Sequence, residues 1–270
     1  MEIIFNKVSY NDKSSSTTLL DNINLIIKEG SIVSFIGTDL DIIPKLLCVI
    51  KRPSSGEIKI DNTIIKRTSH INNVQLLRKR IGFVSDSILF IKDTVKDEIK
   101  EILNNFDCKT NSLKHILDSL RLVGLDDSYL DRRIDTLSYT EKKKVRLASV
   151  LAYNPEVIVL DEFFKSFISR EREYFKKLFL KLKSKFKKTI ILLTNDLKST
   201  FEVVNKIYVI NNGNLVLSGG KELYYNEKLY KYVEIPKIIE FTKYAQECGH
   251  DILEYTDIKE LMKELYRNVG

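Results

Sequence analysis

No stretch of the 270-residue sequence reaches the roughly 18 consecutive apolar residues that a membrane-spanning helix needs, so the chain is not expected to cross a bilayer by itself. The opening Met1-Glu-Ile-Ile-Phe5 lacks the charged start, apolar middle and small-residue cleavage site of a secretory signal, which makes the cytosol the expected compartment. Cysteine and histidine are scarce. Cys48, Cys108 and Cys248 are odd in number and share no ligand spacing, and His70, His115 and His250 are equally scattered. These absences exclude a disulfide framework and argue against a His/Cys metal centre. There is no internal repeat and no low-complexity run.

What is present fits a soluble globular protein, with 43% hydrophobic and 30% charged residues and enough length for one large α/β domain plus a small appendage. The 44 basic and 37 acidic residues leave a formal charge of +7. Such a surplus suits an anionic membrane surface, an acidic partner or nucleic acid, but the lysines are spread along the chain and lie on helix faces, so no nucleic-acid partner is expected. Residues 170–188 illustrate this, with Phe175, Leu178, Phe179, Leu182 and Phe186 at helical spacing as a core-facing stripe between solvated lysines and arginines.

Ile3, Phe5 and Val8, then Leu20 to Ile27 after a polar loop, predict an opening antiparallel hairpin. Ser31-Ile-Val-Ser-Phe-Ile36, ending at Gly37, has the continuous apolar character of a strand buried on both faces of a parallel sheet. Pro53-Ser-Ser-Gly56 predicts a turn, Glu57-Ile-Lys-Ile60 an exposed edge strand, and Arg80 to Val84 another strand. A helical insert is expected over about 90–150, with breaks near Asn104 and Asn111. Glu156 to Leu160 before Asp161-Glu162, and Thr189 to Leu193 before Thr194-Asn195, complete a βαβ alternation. Asn211-Asn-Gly-Asn214 between two apolar runs predicts a closing hairpin. From 221 to 270 the character changes to short helices rich in Tyr, Lys and Glu.

Pro53-Ser-Ser-Gly-Glu-Ile-Lys-Ile60, Leu76-Leu-Arg-Lys-Arg-Ile-Gly-Phe-Val84, Val123-Gly124-Leu125 with Leu137-Ser138 beyond it, and Ala152-Tyr-Asn-Pro-Glu-Val-Ile-Val-Leu-Asp-Glu162 occur in an order that resembles the ATPase subunits of ABC transporters. The stretch from Ile235-Pro236-Lys237 to Leu265 looks like the extension of energy-coupling-factor ATPases. The resemblance implies a P-loop NTPase-like cassette at 1–220, with a mainly parallel sheet core, an antiparallel β subdomain and a helical subdomain, and a small C-terminal helical pairing domain at 221–270. It also implies ATP and Mg as cofactors. The implied partners are an ATP-competent paralogous subunit, a transmembrane scaffold and a substrate-binding membrane subunit, at the inner face of the cell membrane, in an importer of vitamins or metal ions.

The site positions depart from that pattern. A phosphate loop needs G-x-x-x-x-G-K followed by Ser or Thr, so that backbone N–H groups wrap the phosphates, Lys neutralises them and the hydroxyl holds Mg²⁺. Here Gly37 and Thr38-Asp-Leu-Asp41 are followed by Ile42-Ile43-Pro44. An Asp at about 5 Å from phosphate, at an effective dielectric near 20, costs on the order of 3 kcal/mol, and a missing desolvated lysine costs about 2–5 kcal/mol more. A plain strand-to-helix loop, with Asp41 near a helix start, is the expected structure.

The family's Mg²⁺-ligating Gln falls on Asp86, its switch His on Asn195, and its adenine-stacking aromatic near Asp12, beside Tyr10. Asp161 and Glu162 stand where a Mg²⁺-holding Asp and a water-orienting Glu would, and read as vestigial. Phe163-Phe-Lys-Ser-Phe-Ile-Ser169 departs from the family's dimer-contacting loop. Leu137-Ser138-Tyr139-Thr140-Glu141 keeps the signature Ser, which the resemblance aims at the partner's ATP, but replaces both glycines. Read as local structure, Ser138-x-x-Glu141 is a capping box opening a helix that carries Val145, Ala148 and Leu151. Three functions stay open at this point: a non-catalytic transporter subunit, a divergent active ATPase using Asp161 and Glu162 with Lys45 in place of the loop lysine, and a soluble ABC-like interaction protein.

Overall fold

The computed structural model describes residues 1–12, 17–69, 71–106, 108, 113–250, 261–263 and 266. Strands β1 (Ile3–Asp12) and β2 (Thr17–Ile27) form the expected antiparallel hairpin, with Ile3 opposite Ile27 and Phe5 opposite Leu25. Strand β3 (Ile32–Gly37) follows, then a short helix α1 (Ile42–Leu47). Strands β4 (Ser55–Ile60) and β5 (Thr63–Ile65) extend the hairpin into a sheet of order β2-β1-β4-β5. The segment Glu57–Ile60, expected at an edge, is therefore interior. Asp61, at φ +47°, turns the chain so that three residues of β5 cover what would have been the open side. The alternation of β4 reflects one solvated sheet face rather than an open edge.

The second sheet holds six strands. They are β3, β6 (Ile81–Val84), β7 (Val157–Asp161), β8 (Thr189–Leu193), β9 (Lys206–Asn211) and β10 (Asn214–Gly219), in the order β10-β9-β3-β8-β7-β6. Neighbours pair in parallel except β9 and β10, which form the Asn-Gly hairpin, with Asn212 at φ +48° and Gly213 at φ +77°. The period of two explains why these strands are apolar throughout. Val33 and Phe35 of β3 and Ile191 and Leu193 of β8 face the β1–β5 sheet, where they meet Phe5, Ile43 and Leu46. Ile32, Ile36, Ile190 and Leu192 face the helical side.

Between β6 and β7 lie α3 (Val95–Asn105), α4 (Leu113–Leu122) and α5 (Tyr139–Ala152), after α2 (Ile71–Arg80) has led into β6. The break expected near Asn104 is the end of α3; the one near Asn111 lies outside the described residues. Helix α6 (Ser169–Phe186) buries Phe175, Leu178, Phe179 and Leu182 beside the rings of Phe163 and Phe167. Phe186, expected in that stripe, is 59% exposed, because the helix terminates at Lys187 in a left-handed turn and its last turn overruns the core. Helix α7 (Leu197–Thr200) precedes β9.

Beyond β10 two short 3₁₀ turns and α8 (Lys237–Glu247) follow. Leu223, Tyr224, Leu229 and Ile239 join the helical-side core, whereas Phe241 is exposed. Leu261 packs with Ala245 and Ile238, and Met262 is exposed. Ile258 and Leu265, expected on the same amphipathic surface, lie outside the described residues.

Parallel pairing brings the end of β3 against β9 so closely that Gly37, at φ +127°, has room for no side chain. A Cβ there would stand 1.7 Å from the carbonyl oxygen of Ile210. Both the backbone angle and the clash with main chain penalise any substitution. Gly37→Ala is expected to destabilise the chain by about 3 kcal/mol, read as a lower midpoint in urea unfolding; an unchanged midpoint would refute this packing.

Candidate functional site

In a parallel α/β sheet, chemistry gathers where the strands end at their carboxyl termini. Four such ends converge here. Strand β3 delivers Gly37 and Thr38, β6 delivers Asp86, β7 delivers Asp161 and Glu162, and β8 delivers Thr194 and Asn195.

The loop after β3 is tied to the chain at its two ends. The Gly37 N–H donates to Oδ1 of Asn195 at 2.8 Å, and Nδ2 of Asn195 donates back to the Gly37 carbonyl at 3.2 Å. The next N–H, of Thr38, donates to the Ile210 carbonyl at 3.2 Å, and that of Ile43 to Leu40 at 3.0 Å. Asp39 sits at φ +54°. Asp41 precedes α1 but makes no side-chain cap; its carboxylate instead takes an ion pair from Lys45 at 2.5 Å. That pairing engages the only lysine the sequence offered as a replacement for a phosphate-loop cation. Helix α1 is six residues long, includes Pro44, and buries Ile42, Ile43, Leu46 and Leu47. It is held by packing and is less than two turns long.

The β6 and β7 ends are tied together through a residue the sequence reading passed over. Lys143, on α5, is fully buried. Its ammonium donates to Oδ1 of Asp86 at 2.9 Å and to the Glu162 carbonyl at 2.7 Å. The Tyr139 hydroxyl donates to the same Asp86 oxygen at 2.8 Å, and the Tyr139 ring lies 5.2 Å from the ammonium. Burial pushes the Asp86 carboxyl up, but the hydrogen bonds from Lys143 and Tyr139 outweigh it and hold the group below the usual carboxylate range. The Tyr139 hydroxyl moves the other way, to about 12, through burial and then through the Asp86 carboxylate. Lys143 could have been found in the sequence, because with Leu147 and Val150 it occupies positions i, i+4 and i+7 on the buried stripe of α5.

Asp161 and Glu162 stand at the end of β7, with Glu162 in a left-handed conformation at φ +43°. Its carboxylate accepts from the Thr194 hydroxyl at 3.2 Å. Burial raises the Asp161 carboxyl, and proximity to Asp86 and Glu162 adds to the rise, against a hydrogen bond from the Asp86 backbone N–H. The capping box expected at the start of α5 is formed. Ser138 Oγ accepts from the Glu141 N–H at 3.3 Å, and the Glu141 carboxylate accepts from the Ser138 N–H at 2.8 Å and from its hydroxyl at 2.7 Å. The other Glu141 oxygen takes a hydrogen bond from the Tyr129 hydroxyl. Hydrogen bonds from Tyr129 and then Ser138 keep the Glu141 carboxyl low.

Contacts thus run from Gly37 to Asn195, from Thr194 to Glu162, and from Asp161 through Asp86 to Tyr139, next to Ser138. Gly37, Asp86, Asp161, Glu162 and Asn195 are brought together beside Ser138, with Thr194, Lys143 and Tyr129 among them, whereas Tyr10 and Asp12, where the adenine-stacking aromatic was expected, line a hollow with Lys51, Arg52 and Pro53. Among the described residues no group of three or more His, Cys, Asp or Glu is arranged to hold a metal ion.

Two sheets of this order, with a helical block between β6 and β7 and a site at the ends of β3, β6, β7 and β8, define an ABC-type nucleotide-binding cassette. A family model for ABC transporters matches residues 20–165. Over 263 residues the chain is 32% identical to the energy-coupling factor transporter ATP-binding protein EcfA2 of Streptococcus thermophilus, covering 93% of each chain. It is 29% identical over 255 residues to EcfA1 of Mesomycoplasma hyopneumoniae, covering 92% of this chain and 91% of that one. The structure of cbiO1 from Clostridium perfringens, part of the ABC transporter complex cbiONQ, has the same fold, with a TM-score of 0.70 at 23% identity over 89% of this chain and 98% of that one. The ATP-binding cassette MJ0796, in a dimeric post-hydrolysis state with ADP and Pi, matches with a TM-score of 0.74 at 23% identity over 81% and 98%. The chain belongs to the ATP-binding subunits of ABC transporters, and within them to the energy-coupling factor group.

A raised Asp161 value means that folding favours its protonated form, so the charged carboxylate costs stability above its folded pKa; below the unfolded value of about 3.9 both states are protonated and the cost is absent. Asp161→Asn keeps the acceptor for the Asp86 N–H without the charge. It is expected to raise the melting temperature by about 1–3 °C at pH 7 and to lose that advantage near pH 3.5. A drop at pH 7 in scanning calorimetry would contradict this.

Proposed function

We propose that the chain is a non-catalytic ATP-binding-type subunit of an energy-coupling-factor importer, which pairs with an ATP-competent paralogue and couples it to a membrane scaffold. The observation that carries this reading is the chemistry of the loop after β3, where two carboxylates stand and the first N–H groups are paired within the chain. The N–H groups of Gly37 and Thr38 are spent on Asn195 and Ile210, and Lys45 is spent on Asp41. ATP and Mg²⁺, which the family binds, do not fit these residues. A phosphate placed at this loop would meet the carboxylates of Asp39 and Asp41 and would have to displace hydrogen bonds already made. Asp161 and Glu162 remain where a metal-holding and a water-orienting carboxylate would stand, but without a phosphate neither has a reactant to act on. In the divergent-ATPase reading the only named cation, Lys45, already carries the Asp41 carboxylate as its counter-charge.

The partner side of the proposal rests on surface chemistry. After Asp86 the chain presents Leu89 at 81% and Ile91 at 76% exposure, an apolar stretch suited to a helix of a transmembrane scaffold. At the start of α5, the Ser138 hydroxyl is engaged with Glu141 within the capping box. In this reading the cassette spans 1–220, and 221–270 is a C-terminal segment that strengthens pairing in place of shared ATP. The complex lies on the inner face of the cell membrane, with a substrate-binding membrane subunit for a vitamin or metal ion. Among the described residues no helix is long and apolar enough to cross a membrane.

Calorimetric titration of the purified chain with ATP·Mg²⁺ tests the central claim. No heat of binding, or a Kd weaker than about 100 μM, is expected; a Kd at or below about 10 μM, roughly −7 kcal/mol, would overturn it.

A further inference from the structure

Away from the strand ends, α4 and α6 enclose a groove of about 640 Å³ lined by Asp118, Arg121 and Leu122 from α4 and by Tyr174, Lys177, Leu178 and Lys181 from α6. The α6 residues follow i, i+3, i+4 and i+7, a single helix face, and the α4 residues follow i, i+3 and i+4. The Tyr174 hydroxyl donates to the Leu122 carbonyl at 3.0 Å, which fixes the floor. That floor is apolar and only partly covered, with Leu122 at 38% and Tyr174 at 43% exposure.

The rim is cationic for a specific reason. The two acids of α6 are turned to other lysines, Glu171 to Lys144 at 2.6 Å and Glu173 to Lys176 at 2.9 Å. Arg121 is neutralised by Asp127 at 2.6 Å and by Asp118 at 3.5 Å. Lys177 and Lys181 have no carboxylate within ion-pair distance among the described residues, and neither have Arg170 and Lys185 further along α6. An apolar trough thus lies beside a row of uncompensated cations.

We propose that this groove is a docking surface for an acidic amphipathic helix of a protein partner. The trough between two helices offers a seat for the ridge of a third, and a partner ridge of Leu or Ile flanked by Glu would meet Leu122, Tyr174 and Leu178 below and Lys177 and Lys181 beside it. A flat anionic membrane satisfies the lysines but does not fill the recessed floor. The face lies on α4 and α6, whereas Asp86, Leu89 and Ile91 of the proposed scaffold contact lie on the loop after β6, so this partner is additional to the scaffold.

The test uses the full chain and three labelled 18-residue peptides followed by fluorescence anisotropy. One carries Leu at i, i+3, i+4 and i+7 with Glu elsewhere, one is a scramble of it, and one replaces each Glu with Lys. The periodic acidic peptide is expected to bind with a Kd of about 50 μM or tighter, the scramble about tenfold more weakly, and the basic peptide not at all. The double variant Lys177→Glu/Lys181→Glu and the separate floor variant Leu122→Glu are each expected to weaken binding about tenfold, while Lys28→Glu/Lys59→Glu on the opposite sheet changes it less than about twofold. Equal binding of the scramble, equal loss in the Lys28/Lys59 control, or no binding by any peptide would overturn the proposal. So would flotation with phosphatidylglycerol vesicles that is lost on changing Lys177 and Lys181, which would assign the face to a lipid surface instead.

Discussion

A fully buried ammonium is the most demanding group in this molecule, and the arrangement around the strand ends is built to satisfy it. Lys143 carries a charge that costs several kcal/mol to bury unless every donor is used. The structure meets that demand with Asp86 from the end of β6, the Glu162 carbonyl from the end of β7, and the face of the Tyr139 ring. Each partner comes from a different element, so one charge fixes the loop after β6, the turn after β7 and the start of α5 relative to each other. The left-handed conformation at Glu162 follows from this, because it turns that carbonyl toward the ammonium while the side chain turns to Thr194. Removal of the Asp86 carboxylate would leave the Lys143 charge buried and unpaired, which is more destabilising than the pair is stabilising.

The same logic separates the frame of the cassette from the loop after β3. The two sheets and the helical block are held by period-two burial of Val, Ile, Leu and Phe, none of which touches a phosphate, so the fold persists when the phosphate loop changes. That loop is tied to the chain at its two ends. An amide at position 195 both accepts from and donates to the Gly37 backbone, which an imidazole with one donor and one acceptor in fixed opposition does not match as closely. Asn195 therefore suits a loop whose backbone is paired internally, and Asp41 with Lys45 suits one that carries its own counter-charge.

Most of the strands were legible because buried parallel strands leave continuous apolar runs, and the hairpins because Asn-Gly and the opening alternation have local causes. The failures are equally physical. Segment 57–60 alternates whether it lies at an edge or one strand inside, and only the three residues of β5, too short to register as a strand, decide between them. Phe186 sits at the correct helical phase, but phase does not reveal where the core stops. The candidate positions at 37, 86, 138, 161, 162 and 195 were legible through family order, and the capping box through its own chemistry. Their mutual bonds were not, since Gly37 and Asn195 are 158 residues apart and no local pattern ties a lysine at 143 to an aspartate at 86. A charged residue on the apolar stripe of an amphipathic helix was the one available sign that something must come to meet it.

In the proposed reading the chain must pass motion between a membrane scaffold and a partner cassette without a nucleotide of its own to organise the path. Here Asp86 is held by Lys143 and Tyr139 of α5 from within the chain, and Glu141 fills the start of the same helix with hydrogen bonds from Tyr129 and Ser138. The exposed Leu89 and Ile91 lie only a few residues from Asp86, so in this reading a displacement applied there reaches α5 through the Asp86–Lys143 ion pair rather than through a bound phosphate. A path made of fixed side chains is stiff where a ligand-dependent one is conditional. That stiffness suits a subunit that transmits a partner's cycle and does not run one itself.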